Sequence, residues 1–201
     1  MNFSSKSSIK RQAFCYAHTH FHYCIKTMYF VVDVECLKSI DNHLLVKELG
    51  IAAGDNNTAK TWLFCPPHKF NLLPPPIRGQ NRWITAHLHG MRWDHGLTKY
   101  HKLQEILNDH IPADSMVFIK GSEKTELLRP MLPGRQLVDL HDIGCPPIIK
   151  IKLEMPPIPK CCWTHHLFGN QFTNHCALYK CQVYRNWYRS KLYFNNFYTC
   201  D

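Results

Sequence analysis

The stretch Met28-Tyr29-Phe30-Val31-Val32-Asp33-Val34-Glu35-Cys36 decides how the rest of the chain is read. It is a β-branched and aromatic run that carries two acids near its end. A strand with one face in water alternates apolar and polar residues, whereas a strand covered on both faces does not, so this run predicts a central buried strand. Side chains two residues apart in a strand share a face. Asp33 and Glu35 therefore stand side by side, and bare buried charge is costly, so they call for a cation nearby. A divalent metal, a lysine or an arginine meets that need; a strand end open to water would remove it.

Working outward, residues 44–53 and 60–65 read as two further strands, with a hairpin turn at Gly54-Asp55-Asn56-Asn57 between them. Pro66, Pro67 and the run Pro74-Pro75-Pro76 predict a rigid loop, followed by a short helix around 81–87. Residues 100–107 carry Leu103, Ile106 and Leu107 at helical spacing. Residues 116–119 read as a fourth strand, 123–129 as a helix stopped by Pro130, and 137–140 as a short fifth strand. The Pro-rich segment 143–159 reads as a covering loop or linker, and a last helix runs from near His175 toward Trp187. A three-stranded meander joined to crossovers through helices gives an α/β fold, a mixed five-stranded sheet with helices on both faces. The Ser- and His-rich residues 1–27 read as a disordered leader, 28–189 as the domain and 190–201 as a basic and aromatic tail; Met28 stands where a chain could itself start.

The 201 residues suffice for one well-buried domain and fall short of two full-sized ones, and an apolar fraction of 45% excludes wholesale disorder. A formal charge of +9 favours anionic partners, nucleic acid ahead of an acidic membrane; the competing reading is a soluble basic protein with no such partner. No segment has the roughly 20 apolar residues that span a bilayer, and residues 1–10 lack the apolar core of a secretion signal. The cysteines are partly scattered along apolar segments and partly gathered among histidines, unlike a disulfide scaffold. A cytoplasmic or nuclear location, not secretion, is expected, and there clustered Cys and His mean metal more often than disulfide.

That cluster is CCWTHHLFGNQFTNHC at 161–176, with the spacing Cys162-x2-His165-x10-Cys176. Zinc takes thiolate and imidazole ligands at the corners of a tetrahedron, and a close pair plus a distant ligand is a usual way to supply them. Cys161, His166 and His175 are neighbours able to replace one of the three, and core cysteines beside surface histidines are the competing reading. Beyond it, LYKCQVYRNWYRSKLYFNNFY at 178–198 interleaves cations with aromatic rings. Cations attract phosphate and rings stack on bases, so Lys180, Arg185, Tyr188, Arg189 and Lys191 are candidates for contacting single-stranded RNA or DNA. For Tyr184 and Trp187 an amphipathic helix that packs its aromatics on the sheet reads at least as well, and for the charged residues less so.

With these elements in order, residues 28–187 resemble the DEDD-type 3′–5′ exonuclease superfamily, whose fold is ribonuclease-H-like. FVVDVEC at 30–36 resembles its first motif, an apolar strand bearing Asp-x-Glu for divalent metal. MVFIKGSEKTELL at 116–128 resembles the second, with Glu123 or Glu126 available where the family carries an aspartate, and LVDLHDIG at 137–144 the strand that follows. HCALYKC at 175–181 resembles the third, a His followed five residues later by Asp; His175 fits, and Lys180 stands at the aspartate's place. An ammonium cannot ligate Mg²⁺. Within the superfamily the chain is most similar to the Maelstrom domain, which lacks the catalytic acids and carries a Glu-Cys-His-Cys set. That resemblance implies a structural zinc ion on Glu35, Cys162, His165 and Cys176, in a catalytically degenerate domain that binds single-stranded nucleic acid, RNA favoured. The exonuclease resemblance implies the alternative, a Mg²⁺- or Mn²⁺-dependent 3′–5′ exonuclease or RNase, with Asp33, Glu35 and Glu123 holding metal and His175 as general base. A protein-interaction domain with no nucleic acid is a third reading. WITAHLHGMRWDHG at 83–96 belongs to neither motif set.

Overall fold

A computed structural model describes residues 28–154, 161–167 and 170–197; the leader read at 1–27 lies outside them. Strand β1 (Tyr29–Lys38) is buried along nearly its whole length, as its unbroken apolar run predicted. β2 (Leu44–Ala53) and β3 (Ala59–Cys65) follow as an antiparallel meander. β5 (Met116–Ile119) and β6 (Gln136–Asp139) add to the other side of β1, both parallel to it. With β4 (Thr98–Lys99) the order is β4-β3-β2-β1-β5-β6, so the chain is α/β with a six-stranded mixed sheet. The strand beyond the five expected is β4, two residues paired with Phe64 and Cys65, too short to leave a periodicity in the sequence.

The helices are α1 (Pro75–Ile84), α2 (Leu103–His110), α3 (Ser122–Leu128), α4 (Ile148–Glu154), α5 (Trp163–Leu167) and α6 (Ala177–Phe197). Two expectations about proline are overturned for one reason. The run Pro74-Pro75-Pro76 begins α1 instead of forming a loop, and the segment 143–159 contains α4 directly after Pro147. In a first turn the backbone N–H has no intrahelical acceptor, and proline's φ is already near the helical value, so proline starts helices as readily as it stops them. α6 continues through Phe197, so residues 190–197 extend the last helix.

Helices cover both faces of the sheet. Phe30, Val32 and Val34 of β1 pack with Leu103 and Leu107 of α2 and Leu128 of α3. Val31 packs with Tyr179, Val183, Tyr184 and Trp187 of α6. By the strand's period of two, Asp33 and Glu35 share the α6 face with Val31. Gly50, in the middle of β2, lets α6 land there: a Cβ at this position would lie 2.6 Å from the backbone of Ala177, the helix's first residue.

Residues 83–96 close one end of the sheet. α1 runs on into a π-helical turn, Thr85–His89, which Gly90 ends with φ +71°. Asn81 bridges the backbone of Lys38, accepting its N–H at 2.7 Å and donating to its carbonyl at 2.8 Å. His89 accepts the Met91 N–H at Nδ1 (3.1 Å) and so directs Nε2–H to the Cys36 carbonyl (3.3 Å); burial pushes this imidazole down to about 4. The buried ammonium of Lys47 donates to the carbonyls of Phe64 (2.8 Å), Trp93 (2.9 Å) and His95. Among the described residues, no helix is long and apolar enough to cross a membrane.

Candidate metal centre and the neighbouring carboxylates

Cys162 immediately precedes α5 and His165 lies within it, three residues on, a spacing that brings side chains to one side of a helical turn. Cys162 Sγ and His165 Nδ1 are 3.0 Å apart. Cys176 sits at the foot of α6, and its Sγ accepts the Cys162 backbone N–H at 3.3 Å. The carboxylate that completes the group is Glu48 of β2. Its Oε1 is 2.9 Å from Cys162 Sγ, 3.6 Å from His165 Nδ1 and 3.8 Å from Cys176 Sγ. Its Oε2 accepts the Ala177 N–H at 2.8 Å, so the start of α6 aims the other oxygen into the group. All four side chains are buried, their ligand atoms lie within 4.8 Å of one another, and the group could hold a metal ion.

The glutamate is therefore Glu48 and not Glu35. The two are cross-strand partners in the β1–β2 ladder and share a face of the sheet. They differ in which part of α6 lies over them: the first residues of the helix reach Glu48, and Lys180, one turn further on, reaches Glu35. Of the other neighbours read as substitutes, Cys161 and His175 are half-buried and outside the group; the side chain of His166 lies outside the described residues.

The group's protonation tells whether a cation fits it. Burial, and then the charge of Cys162, hold the Glu48 carboxyl well above its ordinary range. A hydrogen bond from Cys176, joined by bonds from His165 and Glu48, draws the Cys162 thiol down to about 3 against the effect of burial. The same bond to Cys162, and then burial, push the Cys176 thiol up. Three potential anions thus crowd one dry site and stay compatible only by retaining protons, which a bound cation would displace. A tetrahedron with ordinary zinc–ligand bond lengths has edges of about 3.3–3.8 Å. Four of the six separations, 2.9–3.8 Å, bracket that range and all six lie within 4.8 Å, so the residues fit a metal ion.

Asp33 and Glu35 find their cations in lysines. Lys124 of α3 is 2.8 Å from Asp33 Oδ1 and 3.8 Å from Glu35 Oε1. Lys180 of α6 is 3.4 Å from Asp33 Oδ2 and in closer contact with Glu35 Oε1. Burial alone would raise the Glu35 pKa, but Lys124 and Lys180 outweigh it and hold the carboxyl below its ordinary value. Burial likewise works against the Lys180 ammonium, and Asp33 and Glu35 more than offset it. Of the other residues named for metal-dependent catalysis, Glu123 is exposed next to Lys124, and Glu126 pairs with Arg129 at 2.9 Å. His175 is half-buried, and burial lowers its pKa.

The residues named for nucleic acid are mostly engaged inside the fold. Besides Lys180, the buried Arg185 donates to the carbonyls of Ala53 (3.3 Å), Asn56 (3.2 Å) and Thr58 (3.0 Å). Arg189 donates to the Gly54 carbonyl (2.7 Å), the Asn56 carbonyl (2.7 Å) and Asn57 Oδ1 (2.9 Å). The two guanidinium groups thus cap the β2–β3 hairpin. Tyr188 is buried between Phe118 and Tyr29, at ring separations of 4.2 and 5.1 Å. Lys191 alone of the five is exposed, with its ammonium 6.0 Å from the Trp187 ring. Compared with known proteins, the chain matches no protein-family model and no curated protein.

Proposed function

We propose that this chain is a zinc-stabilised, catalytically degenerate exonuclease-like domain of the ribonuclease-H type that binds single-stranded nucleic acid, RNA favoured. The observation that carries the reading is Lys180: at the position where the third exonuclease motif has an aspartate, it places an ammonium against both acids of the first motif. A divalent ion entering there would meet two lysine charges already in place. The topology supports the fold assignment, because a meander on one side of β1 and parallel crossover strands on the other is the arrangement the resemblance implies.

Zinc is favoured over other ions by the donors, two sulfurs, an imidazole and one carboxylate oxygen. Four protein ligands leave no open position for water, so the ion's role is structural. It would fasten β2 to α5 and α6 across more than half of the chain, which links metal binding to folding. The described cysteines are all free thiols, in keeping with a cytoplasmic or nuclear setting. Nucleic acid as the partner rests on the net charge of +9.

The test combines metal analysis of the purified protein with a strand assay. One equivalent of zinc, salt-sensitive binding of labelled single-stranded RNA, and intact strands after incubation with Mg²⁺ or Mn²⁺ are expected. Zinc-free protein, or strand cleavage that disappears in Asp33→Asn, would overturn the reading.

A further inference from the structure

We propose that the cavity beside α1 is a nucleotide subsite that takes one nucleobase with its attached phosphate; the proposal rests on the nucleic-acid reading above and gives it a location away from α6. The cavity lies between α1, its π-helical continuation and the loop carrying Arg92, Trp93 and Asp94. Its volume of about 390 Å³ falls within the roughly 300–1,000 Å³ of small-ligand sites.

Its walls suit a flat aromatic ring. The rings of Phe70 and Trp93 pack against each other, 5.9 Å apart at 54°, and both line the cavity. The Trp93 indole N–H is already used on the His68 carbonyl (2.8 Å), so the residue offers a ring surface and not a donor. The Arg82 guanidinium lies 5.6 Å from the Phe70 ring centroid and adds a cationic plane to the same wall. Bases stack on such surfaces without regard to sequence, each contributing about 1–3 kcal/mol.

The charge around the cavity suits phosphate. The wall itself carries Arg82 and Arg92, and Arg78 stands one turn before Arg82 on α1. The one acid in the wall, Asp94, is taken up by Arg92 through bonds of 2.6 and 3.1 Å, which also holds that guanidinium in a fixed orientation. An apolar slot with Arg82 in its wall, beside an Arg92–Asp94 pair that is neutral overall, fits a ring carrying negative charge better than a neutral apolar ligand.

One further feature belongs to the same site. The widened π-helical turn, a departure from α geometry that recurs at functional sites, forms part of the wall, and Thr85 Oγ1 ties it to the Met91 carbonyl at 2.9 Å. A free mononucleotide and one unit of a strand present the same base and phosphate, so the experiment separates them.

The test uses the full chain, a fluorescein-labelled single-stranded RNA decamer followed by anisotropy at low salt, and the variants Phe70→Leu and Arg82→Gln, neither of which touches the metal group or the buried ion pairs. Each variant is expected to melt like the parent and to weaken decamer binding about 5- to 150-fold. Competition by unlabelled adenosine or uridine monophosphate would identify a free nucleotide as sufficient; decamer binding that monophosphates leave untouched would identify the strand as the source. If the parent binds the decamer and both variants bind it equally well, the subsite is refuted and the nucleic-acid reading stands. If the parent binds no decamer, that reading fails, and calorimetric titration with adenosine monophosphate decides the cavity separately: binding lost in both variants keeps it, and no heat of binding refutes it.

Discussion

Replacing Lys180 with methionine isolates the contribution of one ammonium, because methionine retains most of the unbranched side chain and removes the charge. In the fold that ammonium is 12% exposed, contacts Glu35 and lies 3.4 Å from Asp33. Taking one partner from a buried ion pair leaves an uncompensated charge, which ordinarily costs about 3–5 kcal/mol. Lys124 remains 2.8 Å from Asp33 and 3.8 Å from Glu35, so the acids keep a second, partly solvated cation. The loss therefore belongs at the lower end, about 3 kcal/mol, a fall in thermal midpoint of about 6–12 °C for a domain of this size. Adding Glu35→Gln to Lys180→Met should restore much of that loss, since a neutral amide no longer needs the missing charge. The pH dependence supplies a second readout. Glu35 is held below its ordinary 4.5 in the fold, and a depressed carboxyl contributes stability above its unfolded pKa that is lost as pH falls through the folded value. Without Lys180 the folded pKa rises toward the unfolded value, so Glu35 should cost the variant less stability than the parent on acidification, and the gap between the two should narrow as pH falls. Circular-dichroism melts of parent, single and double variants across the acid range measure both effects. A single variant melting within about 2 °C of the parent, with no recovery in the double, would refute the claim that Lys180 neutralises Asp33 and Glu35.

The remaining predictions concern the other contacts that fix α1 and α6. Glu48→Gln should release zinc to a chelator that the parent resists, whereas Glu35→Gln keeps its zinc; elemental analysis after dialysis measures the difference, and equal retention would return the fourth ligand to question. Gly50→Ala puts a Cβ 2.6 Å from the Ala177 backbone, so α6 must shift; a loss of about 1–3 kcal/mol in urea unfolding is expected. Arg185→Ala leaves hairpin carbonyls at Ala53, Asn56 and Thr58 without their donor, and should cost about 1–3 kcal/mol and speed amide exchange at the turn while leaving RNA affinity unchanged. His89, pushed by burial from 6.5 to about 4, contributes stability that is present above its unfolded pKa and is lost as pH falls through the folded one; about 3 kcal/mol should disappear between those values, and His89→Gln should flatten that part of the pH–stability profile.

The parts of the fold that could be read in the sequence are those with a local period. The run 28–36 has no alternation because both faces of β1 are covered, and the placement of Asp33 and Glu35 on one face follows from the strand repeat alone. Cys162, His165 and Cys176 were legible for a similar reason, since two of them are one helical turn apart and the third begins the next helix. Glu48 was not. Its only local mark is an acid in the apolar strand Leu44-Leu45-Val46-Lys47-Glu48-Leu49, and which of two cross-strand glutamates meets the thiols depends on where α6 lands. That landing is set by Gly50, by the Ala177 N–H and by the Arg185 and Arg189 caps, all of them long-range contacts. The α6 sequence reads two ways for the opposite reason: arginines that cap a hairpin and a tyrosine packed on the sheet have the same composition as arginines and tyrosines that hold a strand of nucleic acid.

The sheet face under α6 carries three carboxylates within one patch, Asp33, Glu35 and Glu48, and each needs positive charge or a proton. A metal-dependent nuclease meets such acids with ions that come and go with substrate. Here Asp33 and Glu35 are met by ammonium groups that are part of α3 and α6, so their neutralisation cannot be removed by a chelator and also fastens both helices to β1. Glu48 alone stands in a group that could hold an exchangeable ion, beside two thiols and an imidazole. Metal removal should therefore act on one side of the patch only. In a zinc-stripped sample, amide protection should fall in β2, α5 and the first turn of α6, while β1 and α3 keep theirs, and restoring zinc should bring back the parent pattern. Uniform loss across β1 and α3 as well would mean that the lysines do not hold Asp33 and Glu35 independently of the metal, and the separation of the patch into a fixed half and an exchangeable half would fall.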